Sequence, residues 1–187
     1  MPMRELRIAG FAVFLLACAE PVQAQGPYGI GRAATPAEIA GWNIDIDRNG
    51  NGLPPGIGGV GRGREIFDQQ CAACHGAKGE GGIGDRLAGG QGTLATPKPV
   101  RTVGSYWPYA PTLFDYIRRA MPQNAPQTLS NDDVYAVSAY VLNLNGLLPS
   151  DATLNAKTLS AIKMPNRSMF VDDPRPDVKN TACMTGC

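Results

Sequence analysis

Histidine occurs once in this 187-residue chain, at His75. That scarcity excludes any site built from several imidazoles, including an iron clasped between two of them. Aromatic residues are few at 7%, charged residues make up only 18%, and the formal net charge is +1. No basic block is present to grip nucleic acid or an anionic membrane surface. The apolar stretch at 8–19 falls short of the ~20 residues that cross a bilayer. Glycine (23) and proline (16) are plentiful instead. They predict a loop-rich fold whose small core needs more than its own side chains to fill it.

The lone histidine closes the run Cys71-Ala-Ala-Cys74-His75. Cys-x-x-Cys-His is the pattern of covalent c-type haem attachment. On a helical turn, positions i, i+3 and i+4 share a face. Two thiols so placed can form thioethers with one porphyrin while the imidazole reaches the iron from below. Two other readings use the same cysteines. A redox-active dithiol needs a βαβ setting, which the sequence does not offer. A zinc site would have to borrow Cys183 and Cys187 across a gap of more than a hundred residues, long for a small zinc module. Haem is the preferred reading.

The iron's sixth ligand then falls to methionine, whose soft thioether favours the ferrous state. Met121 is preferred because Pro122 stops the preceding helix and forces the chain to run extended there. Met164, also followed by proline, is the alternative; Met169 and Met184 read as filler. Trp107 with Tyr106 and Tyr109, on the loop before that helix, either serve as packing or use their apolar bodies and polar tips to cover a haem edge and bond a propionate. Arg101 is placed to pair with the same carboxylate.

Residues 1–24 have the form of a secretory signal: Arg4 and Arg7, the apolar stretch, then Val22-Gln23-Ala24. Export to the periplasm is therefore expected. A lipobox reading at Leu15-Leu16-Ala17-Cys18, with Cys18 as a lipid anchor, is the rival. Residues 25–60 read as an N-terminal extension, with a short helix starting at Thr35-Pro36. Asp45-Ile-Asp47-Arg-Asn49-Gly50 opens like a calcium loop, yet Gly56 stands where the twelfth-position glutamate belongs. A turn rich in Asx residues is the better reading. Helices are predicted over 62–70, with Ile66 and Phe67 inward, and over 111–120, with Leu113, Tyr116, Ile117 and Ala120 at helical spacing. A third, over 131–144, is capped by Ser130 and ended by Asn145-Gly146. Residues 148–187 form a turn-rich C-terminal extension in which Cys183 and Cys187 are expected to pair as a disulfide.

Gly63-x3-Phe67-x3-Cys71-x2-Cys74-His75, Met121-Pro122 and the helix bearing Ala139-Tyr140-Val141 together resemble a class I cytochrome c. The resemblance covers about 61–147. It implies an all-α fold of three main helices around one covalent haem c, with Gly63 letting the first helix cross the last near Tyr140. A narrower likeness rests on Gly31-Arg-Ala-Ala-Thr35-Pro36, Gly52-Leu-Pro-Pro-Gly56, Thr102-Val-Gly-Ser-Tyr106-Trp107-Pro108-Tyr109, Lys163-Met-Pro-Asn-Arg167 and Asn180-Thr-x-Cys183-Met. These resemble cytochrome subunits of periplasmic sulfur-compound dehydrogenases, of the sulfane and sulfite kinds. The likeness implies a molybdenum-containing dehydrogenase subunit as electron donor and another cytochrome as acceptor. It also suggests that the two extensions wrap the partner. A free-standing electron shuttle and a haem enzyme with an open iron position remain as alternatives. The second is hampered by the want of another histidine to serve as base.

Overall fold

The computed structural model describes residues 30–172, and the chain divides into two units after Asn43. In the first, α1 (Pro36–Trp42) begins as its sequence dictates. Thr35 accepts from the Glu38 backbone N–H, the Glu38 carboxylate accepts from the Thr35 N–H at 2.8 Å, and Pro36 occupies the first turn. Arg32 donates to the same carboxylate at 2.8 Å. None of the helix is buried.

The second unit is organised by three helices: α2 (Val60–Gln70), α4 (Ala110–Ala120) and α5 (Asn131–Leu144), with the one-turn α3 (Ala72–His75) directly after α2. This is the class I cytochrome c arrangement the sequence predicts. The helix expected over 62–70 starts two residues earlier, and α5 starts where Ser130 accepts from the Asp133 N–H at 3.1 Å. On α4, Leu113 and Ile117 are buried as expected, whereas Tyr116 lies half exposed and Phe114 is fully buried in its stead. Phe114 stacks on Tyr135 of α5 at 4.4 Å, filling the space between the two helices.

The crossing of α2 and α5 is the centre of the core. A Cβ on Gly63 would fall on the Ala136 carbonyl oxygen, so only a glycine lets the two backbones come so close. One turn on, Phe67 is fully buried against Tyr140. The core also draws on chain outside these helices. A two-residue ribbon pairs β1 (Gly58–Gly59) antiparallel with β2 (Thr153–Leu154), Gly58 opposite Leu154. The short α6 (Ala156–Ser160) follows, capped by Asn155, and Leu154, Leu159 and Met164 are all buried.

Ahead of the ribbon, Tyr135 donates to the Pro54 carbonyl at 2.8 Å and the Ile57 N–H donates to Asp132 at 2.7 Å. Further back, Arg119 in the last turn of α4 donates to Asp115, to Asp45 and to the Ile44 carbonyl at 2.7, 2.9 and 3.0 Å. The Asp47 carboxylate accepts from the N–H of Asn49 and of Asn51 and from the Asn51 amide, which holds it below its ordinary range. Its oxygens face donors from the protein itself, as the Asx-turn reading expects. Among the described residues no cluster of three or more His, Cys, Asp or Glu side chains is placed to hold a metal ion.

Candidate functional site

Helix α2 delivers its last turn straight into Cys71, which ends that helix and begins α3. The N–H groups of Cys74 and His75 both donate to the Cys71 carbonyl, at 3.1 and 3.0 Å. The two thiols and the imidazole therefore stand on a single turn. Cys71 is half-buried against the core, Cys74 is exposed, and both are free. Burial pushes the Cys71 thiol up to about 11, with the neighbouring Cys74 adding to it. A redox dithiol needs a thiol of lowered pKa. At Cys71 burial works the other way, which gives the dithiol reading no support.

His75 is oriented by the glycine-rich loop that follows it. Its Nδ1 lies 2.7 Å from the Asp85 carbonyl oxygen. A carbonyl only accepts, so Nδ1 carries the proton and the Nε2 lone pair is left for a metal. The ring rests on Gly84, where an added Cβ would sit 2.9 Å from the imidazole. The loop is laced to the motif by the Gly81 N–H on the His75 carbonyl at 2.7 Å and the Gly84 N–H on the Cys74 carbonyl at 2.9 Å. Sequence reasoning missed both Asp85 and Gly84. Asp85 acts through its main chain and Gly84 through its lack of a side chain, so neither leaves a residue-type signal.

The remaining candidates fall into distinct places. Met121 ends α4 with extended backbone and is only half-buried. Met164 is 3% exposed, enclosed by the core. Met169 is 70% exposed, so it is not the core filler expected of it. Trp107 packs edge-on against Tyr116 at 5.8 Å. Tyr109 lies beneath the Arg167 guanidinium at 5.3 Å, while Arg101 sits at the surface over Tyr106 at 5.5 Å. The structure thus seats Arg101 on Tyr106 and brings Arg167 to Tyr109, a residue for which the sequence alone suggested no contact of this kind. Cys18, Cys183, Cys187 and the signal region lie outside the described residues.

Two thiols one turn apart, beside an imidazole with its outer nitrogen free, form a donor set that fits a covalent porphyrin. A family model described as Cytochrome c matches residues 60–145. A chain of the sulfane dehydrogenase SoxCD from Paracoccus pantotrophus is 43% identical, with a TM-score of 0.75 over 85% of this chain and 81% of that one. This chain belongs to the cytochrome c family. Covalently bound haem c and electron transfer come with that membership. No curated relative matches this cytochrome. Among the described residues it has no helix long and apolar enough to cross a membrane.

Proposed function

We propose that this cytochrome is the monohaem electron-transfer subunit of a periplasmic sulfur-compound dehydrogenase. It would take single electrons from a molybdenum-containing subunit that oxidises a sulfane or sulfite substrate, and pass them to an acceptor cytochrome. The observation that carries this reading is the reach of the likeness to SoxCD. At 43% identity it covers 85% of the chain, well beyond the 60–145 common to cytochromes c in general. A single Cys-x-x-Cys-His run supports one haem.

When bound, haem c supplies a one-electron couple between ferric and ferrous iron. Cys71 and Cys74 would tether it, and His75, its Nδ1 held by the Asp85 carbonyl, would offer Nε2 to the iron. Met121 would supply the thioether ligand. Its thioether is partly uncovered by protein at the end of α4, whereas Met164 already has its surface filled by core side chains. A thioether ligand stabilises the reduced state and raises the potential. A catalytic role is disfavoured because the one imidazole has both nitrogens engaged in this scheme.

The test is reconstitution. Sulfite or a sulfane donor should reduce the purified cytochrome only when the molybdenum subunit is present, and the two should co-purify. Reduction that proceeds equally well without that subunit, or failure of the pair to associate at micromolar concentration, would overturn the proposal. Removal of 148–187 should weaken the association if that segment wraps the partner.

A further inference from the structure

Asn145, at the C-terminal end of α5, is 7% exposed and fully engaged. Its Nδ2 donates to the Leu87 carbonyl at 3.0 Å and to the Val141 carbonyl at 2.9 Å. Its Oδ1 accepts from the Gly89 N–H at 3.0 Å, and its own carbonyl accepts from Gln91 Nε2 at 3.1 Å. An amide side chain carries two donors and one acceptor group, and all are used here. No other side chain of this size offers the same set.

What Asn145 grips is the far end of the loop that orients His75. The N–H groups of Leu87 and Ala88 return to the Gly79 carbonyl, at 2.8 and 3.0 Å. Two residues before Leu87 is Asp85, whose carbonyl faces the imidazole; one residue before that, the Gly84 N–H holds the Cys74 carbonyl. The Asp85 carbonyl is therefore suspended between the haem-attachment turn and the end of α5.

We infer that Asn145 is a positioning residue: by pinning Leu87 and Gly89 to α5, it keeps the Asp85 carbonyl in line with His75 Nδ1. The inference rests on His75 being the axial ligand, as proposed above. A hydrogen bond given by the far nitrogen makes a ligating imidazole a better donor, which favours the more highly charged ferric iron. Loosening that bond should therefore move the potential upward.

The experiment uses the holoprotein with Asn145→Ala, the milder Asn145→Ser, and Ser138→Ala as a control. Ser138 is buried on the same helix, and its hydroxyl donates to the Val134 carbonyl at 2.7 Å. Both Asn145 variants should raise the midpoint potential and speed solvent exchange of the His75 Nδ1 proton, followed by NMR in the reduced state. Ser138→Ala should leave both readouts unchanged. If the Asn145 variants lose thermal stability while potential and exchange stay at wild-type values, the inference is wrong and the residue is merely structural. Should the alanine variant not fold, the serine variant decides the question by the same two readouts. In the wild type, rapid exchange of that proton would also overturn it. Failure of the ligand reading looks different: His75→Ala would then leave the low-spin spectrum intact.

Discussion

The Phe67 ring meets the Tyr140 ring edge-on, with centroids 5.2 Å apart and planes inclined at 62°. That contact lies one turn beyond Gly63, and it exists only because Gly63 lets α2 settle onto Ala136. The crossing also carries the Cys71–His75 turn, because α2 runs directly into it. Gly63→Ala should force the helices apart and cost about 1–3 kcal/mol, the usual range for overpacking. Chemical denaturation of the holoprotein measures it. Stability unchanged from wild type would mean that α2 is not held where its position here implies.

Two methionine variants should behave in opposite ways. Met121→Ala is expected to abolish the sulfur-to-iron charge-transfer band of the ferric protein and to lower the potential, with modest loss of stability. Met164→Ala should keep the band but lose about 2–5 kcal/mol, as buried large-to-small changes do. The reverse pattern would give the ligand role to Met164.

If Cys71 and Cys74 hold the haem as proposed, acid–acetone extraction should leave the pigment on the polypeptide, because thioethers survive acid that breaks axial coordination. Replacing both cysteines by alanine should let it wash out. His75→Ala should keep the colour but lose the low-spin spectrum, and added imidazole should restore it. Colourless matured protein would end the haem reading altogether.

In the first unit, Glu38 is held down to about 2 from its ordinary 4.5, chiefly by Arg32 and then by the Thr35 backbone and hydroxyl. A depressed carboxylate lends its stabilisation above the unfolded-state value and loses it as pH falls through the folded one. The first turn of α1 should therefore fray between about pH 4.5 and 2. Arg32→Ala should raise the Glu38 titration midpoint, read by NMR of its carboxyl carbon. An unchanged midpoint would exclude the ion pair as its cause.

Much of this protein is legible residue by residue. Cys71, Cys74 and His75 name the cofactor chemistry through spacing alone, and the single histidine rules out a bis-imidazole iron. Ser130 marks the start of α5, while the crossing of α2 and α5 at Gly63 and Tyr140 is implied by the resemblance to class I cytochromes c rather than by either residue alone. The attachment run and the Ser130 cap are local, with geometry set within one helical turn.

Other features depend on chain segments distant in sequence. That Asp85 supplies the carbonyl for His75 is a main-chain event with no side chain to announce it. That Phe114 rather than Tyr116 faces inward depends on Tyr135 arriving from α5. Met121 and Met164 share the same Met-Pro dipeptide; that Met164 is enclosed by the core while Met121 stays half-buried emerges only in the folded chain. Asn145 reads in sequence as a helix stop; its second task appears only when the loop at 87–91 folds back against it. The sequence by itself determined which chemistry is possible. Tertiary structure decided which atoms are left free to perform it, because burial and hydrogen-bond partners are set by neighbours tens of residues away.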